Sequence, residues 1–85
     1  MTEAAADIIV DWLRGLASRH PEAAITADAD LIAQGLLDSI EILNLVCFIE
    51  ERFDLVLPIE DFVPENFRTA RAVAALVARI RETRT

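Results

Sequence analysis

Nine residues, Gly35-Leu36-Leu37-Asp38-Ser39-Ile40-Glu41-Ile42-Leu43, hold the arrangement in this chain that bears most directly on chemistry. Asp38 is a preferred helix N-cap and Glu41 follows three residues later, a capping-box-like pattern. A helix therefore starts here, with Ser39 in its first turn. Its hydroxyl is expected to be exposed, fixed in direction and surrounded by carboxylates. A catalytic serine needs an adjacent base, and the single histidine, His20, precedes Pro21 at a helix end. The setting suits a serine that another enzyme modifies better than one that attacks a substrate.

The remaining candidates are weaker. Cys47 lies mid-helix among apolar residues with no histidine placed to activate it, and reads as a small hydrophobe. Asp28-Ala29-Asp30 has the start of a calcium-loop pattern but lacks the other ligands and the glycine. No nucleophile–base pair, phosphate-binding loop or Cys/His cluster is present, so neither catalysis nor a metal site is expected. Trp12 reads as a core or edge anchor.

The elements that position Ser39 follow from periodicity. Residues 2–19 carry Ile8, Ile9, Trp12, Leu13 and Leu16 on one helical face, with an acidic start at Thr2-Glu3 and an end at His20-Pro21. Residues 22–37 form a long structured loop anchored by Leu31, Ile32, Leu36 and Leu37, and loops of this length tend to be functional. The second helix runs from the Asp38 cap to Asp54, with Leu37 and Ile42 spaced as a hydrophobic staple. Its core stripe is Ile42, Leu45, Val46, Ile49 and Phe53. Residues 58–67 contain two prolines and form one or two single helical turns, anchored by Ile59, Phe62 and Phe67. Thr69 caps a final helix over 70–81 with the stripe Val73, Leu76, Val77 and Ile80. The expected architecture is an all-α four-helix bundle, three main helices plus one short, with the long loop between helices 1 and 2.

Composition bounds the rest. The 85 residues make one small domain, residues 1–85, in which 54% apolar content supplies the core and the lone Cys47 no internal disulfide. The lack of disulfides and of any leader or membrane-spanning run points to a soluble cytoplasmic protein. The net charge of −7 is uneven: residues 22–65 hold eleven acids and one arginine, whereas residues 66–85 hold five arginines and one acid. The acidic middle repels nucleic acid and steers partners with basic surfaces into encounter.

Taken in order, Leu31-Ile32-Ala33-Gln34-Gly35-Leu36-Leu37, Asp38-Ser39-Ile40, Ile49-Glu50-Glu51-Arg52-Phe53, Leu57-Pro58-Ile59 and Phe67-Arg68-Thr69 resemble the acyl and peptidyl carrier proteins. The resemblance covers residues 31–80. It implies that Ser39 is the attachment site of 4′-phosphopantetheine, installed from coenzyme A by a phosphopantetheinyl transferase that uses Mg²⁺. The arm would hold an acyl or aminoacyl thioester. A loading ligase and downstream enzymes would be the other partners of a monomeric, free-standing carrier without catalytic activity. Free backbone N–H groups at a helix start favour the phosphodiester charge. Gly-Leu-Leu-Asp-Ser is more similar to D-alanyl and natural-product carriers than to fatty acid synthase carriers, and Asn44 and Cys47 depart from the fatty acid pattern.

Off the core stripe lie the apolar residues Ile40, Leu43, Cys47 and Phe48; with Asn44, and edged by Glu41, Glu50 and Glu51, they have the makeup of a docking surface beginning beside Ser39. Ile40 is expected to be partly exposed. The competing reading is an acidic helical module that docks a partner and is never modified.

Overall fold

The computed structural model describes residues 5–18 and 25–83, and every regular element among them is helical. Three α-helices, α1 (Ala5–Ala17), α2 (Ser39–Phe53) and α3 (Ala70–Thr83), surround one core. In place of the single short helix there are two 3₁₀ turns, Ile59–Asp61 and Pro64–Phe67. Pro58 and Pro64 explain the split, because a proline fits the first turn of a helix but cannot continue one. The expected start at Thr2-Glu3, the end at Arg19-His20-Pro21 and the beginning of the loop at Glu22 lie outside the described residues.

The core residues are those that the periodicities select, with instructive exceptions. Ile8, Ile9 and Leu13 of α1, Leu45, Val46 and Ile49 of α2, and Val73, Leu76, Val77 and Ile80 of α3 are buried. Val10, absent from the expected α1 stripe, is buried as well. Trp12 is half-buried and stacks on Phe48 of α2 with centroids 5.6 Å apart, joining the two helices through their rings. Ile59 and Phe62, expected as anchors, are not core residues: Ile59 is 85% exposed and Phe62 stands at the surface, while Phe67 is fully buried. An apolar residue in a two-proline segment carries no periodicity, so sequence cannot say which one faces inward.

Backbone hydrogen bonds tie the described part of the long loop to the approach and start of α3. Leu31 is fully buried and its N–H donates to the Arg68 carbonyl at 2.7 Å. The Arg71 N–H, at the start of α3, donates to the Ala27 carbonyl at 2.9 Å. Beside these bonds Arg71 grips Asp28 with two guanidinium contacts of 2.7 and 3.0 Å, and Arg68 reaches Asp30 at 3.3 Å. The Asp28-Ala29-Asp30 carboxylates are therefore partners of arginines, and no metal-holding group occurs among the described residues. The Arg71 guanidinium lowers the Asp28 pKa; for Asp30 the Ala33 amide does most of the lowering and Arg68 adds to it.

Gly35 closes this loop with φ +77°, a left-handed conformation that a side chain resists. Leu36 and Leu37, both buried, follow directly and deliver the chain to α2.

Candidate functional site

Ser39 is the first residue of α2 and its side chain is exposed. Asp38 sits before it in an extended conformation, and its Oδ1 accepts the Glu41 N–H at 2.9 Å. That is half of the capping box. The other half is not made: Glu41 Oε1 instead accepts from Asn44 Nδ2 at 2.9 Å, one turn further along. The first-turn amides of Ser39 and Ile40 have no acceptor within the helix and point out of its positive end.

Beside Ser39 runs a shallow groove of about 290 Å³. One wall is Ser39, Ile42 and Leu43 of α2; the other is Phe62, Val63 and Pro64, with buried Phe67 at its base. Phe62 meets Phe67 edge to face at 6.5 Å, which fixes the far wall. The segment carrying that wall is tied down by Asn66 Nδ2 donating to the Asp61 carbonyl at 2.8 Å and by Arg79 reaching Asp61 Oδ1 at 3.5 Å. Sequence reading did not associate Phe62, Val63 or Pro64 with Ser39. The two-proline stretch was a signal of a fixed turn, but not of where that turn lands.

The outward face of α2 carries Ile40, Leu43, Asn44, Cys47 and Glu51, spaced three, four and seven residues apart, and all are exposed. Ile40 is 69% and Leu43 54% exposed, high values for residues of this kind. Cys47 is exposed too, so it does not fill the core as a small hydrophobe. Glu41 borders this face on one side. Glu50 differs from the other acids: its Oε2 accepts the Leu57 N–H at 2.9 Å, while its carbonyl takes the Asp54 and Leu55 amides at the left-handed end of α2. Its carboxylate thus stabilises the turn after the helix. Phe48 points elsewhere, against Trp12.

Among the described residues no histidine or lysine adjoins Ser39. One oxygen of the Asp38 carboxylate accepts the Glu41 amide, and one of the Glu41 carboxylate accepts the Asn44 amide. What the site does offer suits a covalently attached phosphate ester on a flexible arm: an accessible hydroxyl, two first-turn amides for the charge, and a groove beside them.

Comparison with known proteins agrees with this chemistry. Residues 7–77 match the family described as phosphopantetheine attachment site. Over 74 residues the chain is 42% identical to the lincomycin biosynthesis protein LmbN of Streptomyces lincolnensis, covering 87% of this chain but 26% of LmbN. It is 33% identical over 54 residues to the D-alanyl carrier protein of Streptococcus sanguinis, covering 64% of this chain and 68% of that protein. Among solved structures, it superposes with a TM-score of 0.69 and 28% identity on a chain of Bradyrhizobium japonicum glycine:carrier protein ligase complexed with its cognate carrier protein and an analogue of glycyl adenylate. That match covers 87% of this chain and 96% of the other. The chain belongs to the phosphopantetheine attachment family. It is a carrier protein, and its covalent cofactor is 4′-phosphopantetheine.

Proposed function

We propose that Ser39 is the hydroxyl that receives phosphopantetheine, and that residues 1–85 act as one carrier unit for an amino acid or short acyl group. The observation that carries this is the exposed Ser39 at the capped, amide-rich start of α2. When bound, the arm supplies a terminal thiol that holds cargo as a thioester. The chain's own residues present the hydroxyl and accommodate charge. Asp38 fixes the first turn, so that the Ser39 and Ile40 amides face the phosphodiester. The Ser39 oxygen bonds to the phosphopantetheine phosphorus and its proton passes to the phosphopantetheinyl transferase, as the coenzyme A pyrophosphate bond breaks and adenosine bisphosphate departs.

Aminoacyl cargo is favoured by the likeness to D-alanyl carrier proteins and to the chain from the glycine:carrier protein ligase complex. A loading ligase would activate the amino acid, and downstream enzymes would collect it; the carrier itself catalyses nothing. Docking would use the exposed α2 face, with Ile40, Leu43 and Cys47 as the apolar strip and Glu41 and Glu51 meeting basic partner surfaces. Glu50 has the lesser part, because its carboxylate already holds Leu57. No helix among the described residues is long and apolar enough to cross a membrane. The cytoplasm, where coenzyme A is available, is the proposed compartment.

The test is intact mass after incubation with coenzyme A, Mg²⁺ and a promiscuous transferase. A gain of one phosphopantetheine that disappears in Ser39→Ala supports the proposal. A gain that survives the substitution, or none at all, refutes it and favours an unmodified docking module.

A further inference from the structure

We infer that Asp30 is a positioning residue for Ser39, coupling the start of α3 to the start of α2 through the backbone of Leu31. The inference rests on Ser39 being the modified hydroxyl. Three bonds make the connection. The Leu31 N–H donates to the Arg68 carbonyl at 2.7 Å, and the Leu31 carbonyl accepts from both Leu36 and Leu37 at 3.0 and 3.1 Å. Leu37 immediately precedes the Asp38 cap, so one buried residue has α3 on one side of its peptide groups and the entry to α2 on the other.

Asp30 holds this junction with two different oxygens. Its Oδ1 accepts the Ala33 N–H at 2.9 Å, and its Oδ2 takes the Arg68 guanidinium at 3.3 Å. Its carbonyl accepts the Gln34 N–H at 3.1 Å. One carboxylate thus shapes the 31–35 turn and fastens that turn to the residue whose carbonyl receives Leu31. Arg68 contributes from across 38 positions of sequence. Neither residue belongs to the α2 face, so neither is expected to touch a docked transferase there.

The roles separate by substitution. Asp30→Asn keeps an Oδ1 acceptor for Ala33 but loses the charged contact with Arg68. Arg68→Met removes that contact from the other side and leaves the Arg68 carbonyl in place. Arg14→Met, which breaks the exposed Asp11–Arg14 pair on α1, is the control for a general effect of losing an ion pair. Exposed pairs of this kind are weak, so a kcat decrease of about threefold is the expected scale for the two junction variants.

The experiment measures kcat and KM for phosphopantetheine transfer to wild type and the three variants, with amide hydrogen exchange at Leu31, Leu37 and Glu41. Lower kcat in Asp30→Asn and Arg68→Met, with KM unchanged and those amides exchanging faster, is the expected result. Unchanged kcat, an effect confined to KM, or an equal decrease in Arg14→Met overturns it. If wild type itself is not modified at Ser39, the underlying assignment fails. If wild type is modified and the junction variants match it, only the positioning role fails.

Discussion

Asp38 Oδ1 holds the Glu41 amide at 2.9 Å, while the Glu41 carboxylate has turned away to Asn44. The start of α2 therefore depends on a single side-chain cap. Asp38→Ala is expected to lower stability by about 1 kcal/mol, and Asp38→Asn by much less, because asparagine caps nearly as well. Urea denaturation of the two variants checks this; equal losses would mean that the Asp38 charge, rather than its acceptor geometry, matters.

Phe67 and Ile59 are both apolar residues of the same connecting segment, with opposite burial. Phe67→Ala is expected to cost about 3–5 kcal/mol through the cavity left at the base of the groove. Ile59→Ala should change stability by less than about 0.5 kcal/mol. Comparable midpoints for the two variants would contradict the packing described.

Cys47 stands on the exposed face of α2 between Leu43 and Glu51. N-ethylmaleimide is expected to label it fully in native buffer, at the rate seen in denaturant. If that face receives partners, labelled protein is modified by the transferase with raised KM while Ser39 remains chemically intact. Labelling that requires denaturant would disprove its exposure, and unaltered KM would move the docking site elsewhere.

Asp28 and Asp30 have lowered pKa values, from Arg71 and from Ala33 with Arg68 respectively. A carboxylate with a depressed folded pKa stabilises the fold above its unfolded value, here 3.8, and that contribution is lost as pH falls below it toward the folded value. Thermal stability of wild type should decline below about pH 4, and Asp28→Asn should make that part of the decline shallower. Parallel curves for the two proteins would show that the Asp28–Arg71 pair contributes nothing to the folded state.

The start of α2 could be read from sequence because capping is local: Asp38, Ser39 and Glu41 lie within four positions. The α3 stripe was legible for the same reason, and Thr69 does cap that helix, its Oγ1 accepting the Ala72 N–H at 3.0 Å. The far wall of the groove was not legible. Phe62 and Val63 reach Leu43 only after two proline-set turns, and nothing in their spacing encodes that return. The arginine grips on the loop were equally hidden, since Asp28 and Arg71 are 43 residues apart. Glu50 illustrates a subtler limit, for a carboxylate in an acidic run looks solvated until the backbone amide that it accepts is located.

The arginines of α3 and its approach also redistribute the field of the molecule. Arg71, Arg68 and Arg79 neutralise Asp28, Asp30 and Asp61, three of the acids that make the middle of the chain negative. Asp38, Glu41 and Glu51 form no ion pair among the described residues, and on α2 the Glu41 carboxylate meets a neutral asparagine. An approaching cationic surface thus senses a lobe of negative potential centred on the helix that begins at Ser39, and folding has converted a diffuse excess of acid into a directional beacon.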